Sequence, residues 1–211
     1  MSPLPDSHAT TRVGVLPKVS DEAFEAILRI YEEAIPAAER RSAAGLRRLF
    51  NDSRYRLIAS WEERKLTGFA VVYVGSAVCL LEYMAVDRAF RDRGLGKLLC
   101  DAAAALVDGL QPRRPLFAEV DADEGDAPDL LQRQRRKAFY ARLGFSEAAG
   151  FQYFLPLEGA EAMESMHIVV YGVAETLFSA AAFRRCITQI YTEVYGKTAD
   201  DPRIDRMMRP V

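Results

Sequence analysis

Residues 91–97, Arg-Asp-Arg-Gly-Leu-Gly-Lys, combine three cations with two glycines spaced two apart. Glycine has no Cβ, so a turn built on two of them can take unusual dihedrals and bring its amides close to a ligand. The residues that follow, Leu95, Leu98, Leu99, Ala102, Ala103 and Leu106, recur at helical spacing, with Gly109 as the stop. The amides therefore open a helix, whose dipole adds roughly half a positive charge at that end. With Arg88 alongside, the turn suits an anion, and a phosphate group is the expected ligand. Two common phosphate loops do not fit. A P-loop needs glycine five residues before its Gly-Lys pair and Ser or Thr after it, where this chain has Arg91 and Leu98. The dinucleotide fingerprint fails at its third glycine, which is Leu99 here.

The elements that must position this turn are legible from periodicity. Residues 12–16 read as a first strand. Ser20 opens a helix with Phe24, Ile27, Leu28, Tyr31 and Ile35 on one face, broken at Pro36, and a second helix is expected over 37–50. The period then drops to two. Strands are expected over 55–61 and 66–74, joined through Glu-Glu-Arg-Lys, and over 77–86, reached through a tight turn of type II′ centred on Gly75 and Ser76. The last of these is nearly continuous in apolar residues and reads as a central strand buried on both faces. Beyond the glycine turn and its helix come a strand at 115–120, a basic helix at 130–143, strands at 150–156 and 167–173, and a helix at 175–195 before a charged tail. The order predicts an α/β (α+β) fold: a mixed, mostly antiparallel central sheet of about seven strands with helices on both faces.

Arg91-x-x-Gly94-x-Gly96, set between a central strand and an amphipathic helix, resembles the pyrophosphate loop of the GNAT superfamily of acyl-CoA N-acetyltransferases. The resemblance spans residues 11–174 in element order and is sharpest over "LEYMAVDRAFRDRGLGKLL" and again over "KAFYARLGF", some 45 residues later. It implies a domain over 11–174, preceded by a flexible stretch over 1–10 and followed by a C-terminal helix and tail, 175–211, packed on it. It also implies acetyl-CoA as cosubstrate, held by Arg91, Asp92, Arg93, Gly94, Leu95, Gly96 and Lys97. The backbone of Met84, Ala85 and Val86 would meet the pantetheine where the fourth and fifth strands part.

Acetyl transfer to an amine has three requirements. The ammonium, with a pKa of about 10, must lose its proton. The oxyanion needs a donor. The departing thiolate gains from an acid. Tyr140 stands where the family commonly has the tyrosine that protonates the CoA sulfur. Glu82 is the polar residue of an otherwise apolar strand, on the face that alternation assigns to Met84 and Val86, and a buried carboxylate is costly unless something satisfies it. Glu82 and Glu119 are the two candidates for the base. Many relatives have an asparagine seven residues before the tyrosine; here that position is Arg133, either a phosphate contact or a solvent-facing charge.

The acceptor walls implied by the resemblance, 31–41 and 152–166, carry Glu32, Glu33, Glu39, Glu158, Glu161 and Glu164, which favour a cationic small molecule or peptide amine. The expected reaction is direct attack on the thioester in a ternary complex. The alternative is a non-catalytic acyl-CoA sensor or protein-interaction module. A net charge of −2 and the lack of aromatics among the arginines of "RQRRK" argue against nucleic acid. No run approaches the roughly 20 apolar residues of a membrane span, and the N-terminus lacks a signal-peptide core. Three widely spaced cysteines, Cys79, Cys100 and Cys186, read as reduced core thiols of a cytoplasmic protein, and two histidines make a His-rich metal site unexpected. Monomer and homodimer both remain open.

Overall fold

Along residues 65–74, Phe69, Val71 and Tyr73 fall on one side and Ala70 and Val72 on the other, and this alternation decides where the helices pack. The computed structural model describes residues 10–123, 126, 128–148, 150–156, 165–172 and 179–209. Among the described residues eight strands form one sheet: β1 (Thr11–Leu16), β2 (Tyr55–Glu62), β3 (Lys65–Val74), β4 (Cys79–Val86), β5 (Leu116–Asp121), β6 (Ser146–Glu147), β7 (Tyr153–Phe154) and β8 (Ser165–Tyr171). Their order is β1-β2-β3-β4-β5-β8-β6, with β7 also paired to β8. The β4–β5 pair is parallel and the other pairs are antiparallel. The mixed, mostly antiparallel sheet is as expected. Its extra strand is the two-residue β6, and the strand expected over 150–156 shrinks to β7, segments too short to set up a period.

Helix α1 (Asp21–Ala34) is capped by Ser20, whose hydroxyl accepts from the Ala23 amide, and buries Phe24, Ile27, Ile30 and Tyr31. With α2 (Ala43–Asn51) it covers the Phe69/Val71 side of the sheet. The helix expected over 37–50 is instead a 3-10 turn at Ala37–Glu39 and then α2, which Ser42 caps anew. Helices α3 (Leu95–Asp108) and α4 (Leu130–Arg142) take the opposite side. Leu98, expected in the stripe of α3, is exposed, while Cys100 and Val107 are buried in its stead.

Helix α5 (Ala180–Gln189), a π-helical turn (Ile190–Val194) and α6 (Pro202–Met207) return to the first side beside β7 and β8. Phe183, Ile187, Ile190, Tyr191 and Val194 are all buried, as their spacing predicts. The "tail" contains α6, whose Ile204 and Met207 enter the same core. Gly75 does not occupy the centre of a type II′ turn. It flanks the loop, its φ is not positive, and its amide donates to the Val78 carbonyl at 2.9 Å. A Cβ there would come within 2.7 Å of Gln189 and of the Tyr73 hydroxyl, so close packing explains this glycine.

Candidate active site

The β4–β5 ladder joins Cys79, Leu80 and Leu81 to Leu116, Phe117 and Ala118 and goes no further, although β4 runs on to Val86 and β5 to Asp121. The two strands part beyond Leu81, and a cleft opens between Glu82–Val86 and Glu119–Asp121. A β-bulge starts at the same point. Val71 pairs with Tyr83 and Val72 with Leu81, which leaves Glu82 as the extra residue. The bulge corrects the alternation read from sequence. Tyr83 and Ala85 pack with Phe69 and Val71, while Met84 and Val86 pack with α3 on the other side. The side chain of Glu82 faces Arg41 and Tyr83, away from Met84 and Val86.

At the end of β4, Asp87 accepts from the Ala89 amide at 2.9 Å and from Arg29 Nη2 at 2.6 Å, which pins a 3-10 turn (Arg88–Phe90) against α1. Asp92 (φ 63°) and Gly94 (φ 77°) then both adopt left-handed backbone. Gly94 is the cap of α3, and its carbonyl accepts from the Leu98 amide, so the amides of Leu95, Gly96 and Lys97 have no acceptor within the helix. These amides edge an open pocket of about 720 Å³ lined by Val86, Phe90, Arg91, Gly96, Lys97 and Phe139, among others. A Cβ on Gly94 would meet nothing within 4 Å, and one on Gly96 only Phe139 at 3.7 Å. The protein's own packing therefore does not demand glycine at 96. The cradle is shaped for a ligand that approaches the backbone, and a diphosphate with an apolar tail fits its cations and aromatic walls.

Of the expected cofactor residues, Val86, Arg91, Asp92, Gly94, Leu95, Gly96 and Lys97 line this pocket; Met84, Ala85 and Arg93 do not. Arg93 pairs with Glu62 at 3.3 Å and lies over Phe90. Arg133 neither faces solvent alone nor reaches this pocket: it bonds Asp129 at 2.8 Å and the Ala122 carbonyl at 3.2 Å.

Glu82 and Glu119 line a second, small pocket of about 90 Å³ with Tyr83, Tyr195, Leu155 and Met166. Arg41 grips Glu82 Oε1 through Nε at 2.9 Å and Nη2 at 2.7 Å, and the same Nη2 donates to the Val194 carbonyl at 3.0 Å. The Glu82 side chain is 2 % exposed, and its Oε2 has no hydrogen-bond partner among the described residues. Burial raises its carboxyl pKa above the ordinary range, against the pull of Arg41. Glu119 accepts from the Tyr153 hydroxyl on Oε1 and from the Tyr195 hydroxyl at 2.6 Å on Oε2. Burial pushes it up to about 7; the two phenols oppose the shift, and the charges of Glu82 and Glu39 add to it.

Tyr140, the only buried residue of α4, lines neither pocket. Its ring is buried between Phe139 and Phe145, and burial keeps the phenol protonated well above its usual pKa. Arg41, Tyr153 and Tyr195 carried no local signal in the sequence. Glu32 and Glu33 are exposed, and Glu158, Glu161 and Glu164 lie outside the described residues.

A sheet whose central parallel pair parts beside a glycine-capped helix is the architecture of the GNAT acyltransferases. Residues 53–147 match the family model described as an acetyltransferase (GNAT) domain. Among solved structures it is similar to a GNAT-family protein from Bacteroides thetaiotaomicron described as an acetyltransferase. That match has a TM-score of 0.68 and 21 % identity over 88 % of this chain and 98 % of the other. It is also similar to the ribosomal-protein-S18-alanine N-acetyltransferase of Escherichia coli (TM-score 0.55, 20 % identity, 81 % of this chain and 100 % of the other). A third similar structure is an aminoglycoside 6′-N-acetyltransferase complexed with coenzyme A (TM-score 0.58, 16 % identity, 75 % and 94 %). No curated protein sequence matches the chain. No described helix is long and apolar enough to cross a membrane.

Proposed function

We propose that this protein is a cytoplasmic N-acetyltransferase that moves an acetyl or other short acyl group from acetyl-CoA to a primary amine. The observation that carries the reading is the cleft opened between β4 and β5, with the glycine cradle at one end and the Glu82–Glu119 pocket beside it. Arg91, Lys97 and the amides of Leu95, Gly96 and Lys97 hold the diphosphate, with Asp92 and Gly94 supplying the left-handed turn. Arg93 adds charge from the rim. The main chain of Met84, Ala85 and Val86, released from β5, meets the pantetheine amides.

Glu119 is the base. Its carboxylate, with a pKa raised to about 7, is matched to taking a proton from an ammonium near neutral pH. The freed nitrogen attacks the thioester carbonyl, the C–S bond breaks, and the sulfur takes a proton from the Tyr140 hydroxyl, which solvent then replaces. Glu82, held through Oε1 by Arg41, orients the incoming amine from the opposite side of the pocket. Direct transfer is supported by the three thiols: all are free and buried, and burial pushes Cys79 and Cys186 up to about 11 and Cys100 to about 12, so none supplies a thiolate nucleophile.

Calorimetric titration of acetyl-CoA into the parent and into Gly96→Glu tests the reading, together with an assay of thiol release over a panel of amines. Binding to the parent, lost in the folded variant, and thiol release with at least one amine are expected. Binding with no transfer to any amine would leave an acyl-CoA sensor. No binding to the folded parent would overturn the assignment.

A further inference from the structure

We propose that the groove between α1 and the β2–β3 hairpin is a second binding site, for a flat ring that carries a phosphate, and that its occupant weakens the hold on acetyl-CoA. The second half rests on the acetyl-transfer reading; the site itself does not. The open groove, of about 590 Å³, lies on the α1 side of the sheet, whereas the glycine cradle lies against α3 and α4. Trp61, the only tryptophan of the chain, and Leu66 contribute its sheet wall, and Ala23 and Ala26 its helix wall. A bulge explains why both strand residues belong to one wall. Trp61 pairs with Leu66 but Ser60 with Gly68, which leaves Thr67 as the extra residue and turns Leu66 to the side of Phe69.

The rim of the groove is cationic. The hairpin turn, with Glu63 in left-handed backbone (φ 54°), sets Arg64 and Lys65 on it, and Arg29 joins them from α1. Arg64 has no acidic partner among the described residues, and Lys65 has the ring of Phe90, 4.6 Å from its Nζ. Arg29 commits Nη2 to Asp87 at 2.6 Å and keeps the rest of its fork of donors. Glu22 is the one lining acid. A surplus of positive charge with spare guanidinium donors suits a phosphate, which such a fork meets through paired hydrogen bonds. The half-buried indole of Trp61, beside alanines too small to cover it, offers a flat ring a stacking face.

Two contacts join this groove to the cradle on the other side of the sheet. Arg29 holds Asp87, which also accepts from the Ala89 amide and so fixes the 3-10 turn that leads into Asp92 and Gly94. Lys65 lies over Phe90, and Phe90 lines the cradle. A phosphate that draws Arg29 and Lys65 into the groove competes with both contacts and loosens the turn. The two ligands therefore disfavour one another, and linkage makes the effect reciprocal.

Trp61 is its own reporter. The test follows its fluorescence in the full chain as phenyl phosphate, AMP, inorganic phosphate and adenosine are titrated, with calorimetry of acetyl-CoA alongside. Phenyl phosphate, AMP or both should change the emission saturably, in the parent and in Gly96→Glu, whose cradle is blocked. Phenyl phosphate alone would mark a small aryl phosphate, and AMP a nucleotide. Inorganic phosphate and adenosine should bind about tenfold more weakly. Arg64→Glu removes a rim charge and Ala26→Leu fills the space beside the indole; each should weaken the ring phosphate about tenfold and leave acetyl-CoA affinity unmoved. The ring phosphate at saturation should weaken acetyl-CoA about fivefold in the parent and not in Arg64→Glu. No saturable change at Trp61, its loss in folded Gly96→Glu, equal binding of inorganic phosphate, or parental affinity in the folded groove variants would each overturn the site. A saturable change with acetyl-CoA affinity unmoved would overturn the coupling. Ring-phosphate binding in a parent that binds no acetyl-CoA would support the site and overturn the acetyl-transfer reading instead.

Discussion

At the scale of single residues, the proposed chemistry rests on two carboxylates with unequal surroundings. Glu82 is tied to a guanidinium, whereas Glu119 has only phenol donors and sits near the charges of Glu82 and Glu39. Burial, opposed by the phenols, raises Glu119 to about 7, and it is ionised, hence competent as a base, only above that value. Activity should fall as the pH drops through about 7, and Glu119→Gln should abolish that limb of the kcat/KM profile. A variant with the parental limb would remove Glu119 from the base role. The same shift acts on stability with the opposite sense. Its folded pKa is raised above the unfolded carboxylate value, so the contribution is complete below about 4.5 and is lost as pH rises through about 7. Thermal melts of the parent should decline from pH 5 to pH 8 more than those of Glu119→Gln. Tyr140→Phe removes only a hydroxyl from a packed ring. It should lower kcat by about 10²–10⁴ with acetyl-CoA affinity intact, and an unchanged kcat would show that this hydroxyl delivers no proton.

At the scale of elements, the C-terminal π-helical turn is the least expected contributor. Tyr195, one residue past it, donates to Glu119, and the Val194 carbonyl receives Arg41, so the segment holds both sides of the carboxylate pair. A π turn widens the helix by one residue per hydrogen bond, here Tyr195 amide to Ile190 carbonyl at 3.2 Å, and such turns recur at functional sites. In the proposed reaction Tyr195 is a positioning residue. Its hydrogen bond favours the ionised carboxylate, so Tyr195→Phe should move the acidic limb of kcat/KM to higher pH while KM for acetyl-CoA holds. A purely structural role would lower expression or melting temperature without moving that limb. The bulge in β4 is the other decisive element. By inserting one residue it sends Glu82 and Tyr83 to the same side of the sheet, where the Glu82–Glu119 pocket forms, and leaves Met84 and Val86 on the side of α3.

At the scale of the whole molecule, the segment beyond β8 is fastened by aromatic packing. Phe183 stacks on Phe151 with centroids 4.1 Å apart and on Phe117 at 6.1 Å. Phe183→Ala should cost about 3–5 kcal/mol, read from the urea midpoint, and should loosen the turn that carries Tyr195. A loss below about 1 kcal/mol would mean that α5 is held elsewhere. The glycine cradle was legible in the chain because its requirements are local. Left-handed turns, a helix start and clustered cations are all properties of consecutive residues, and Gly94, Gly96, Arg91 and Lys97 stand within seven positions. Sheet and helices were legible through periods of two and 3.6, which burial imposes on any long element. Short β6 and β7 escaped because two residues make no period, and the β4 bulge escaped because it depends on pairing with β3 and not on its own side chains. The Glu82–Glu119 pocket was set by contact across the fold alone. Arg41 meets Glu82 from 41 positions away and Tyr195 meets Glu119 from 76, and such long-range partners are chosen by the packing of whole elements, which no stretch of neighbouring residues encodes.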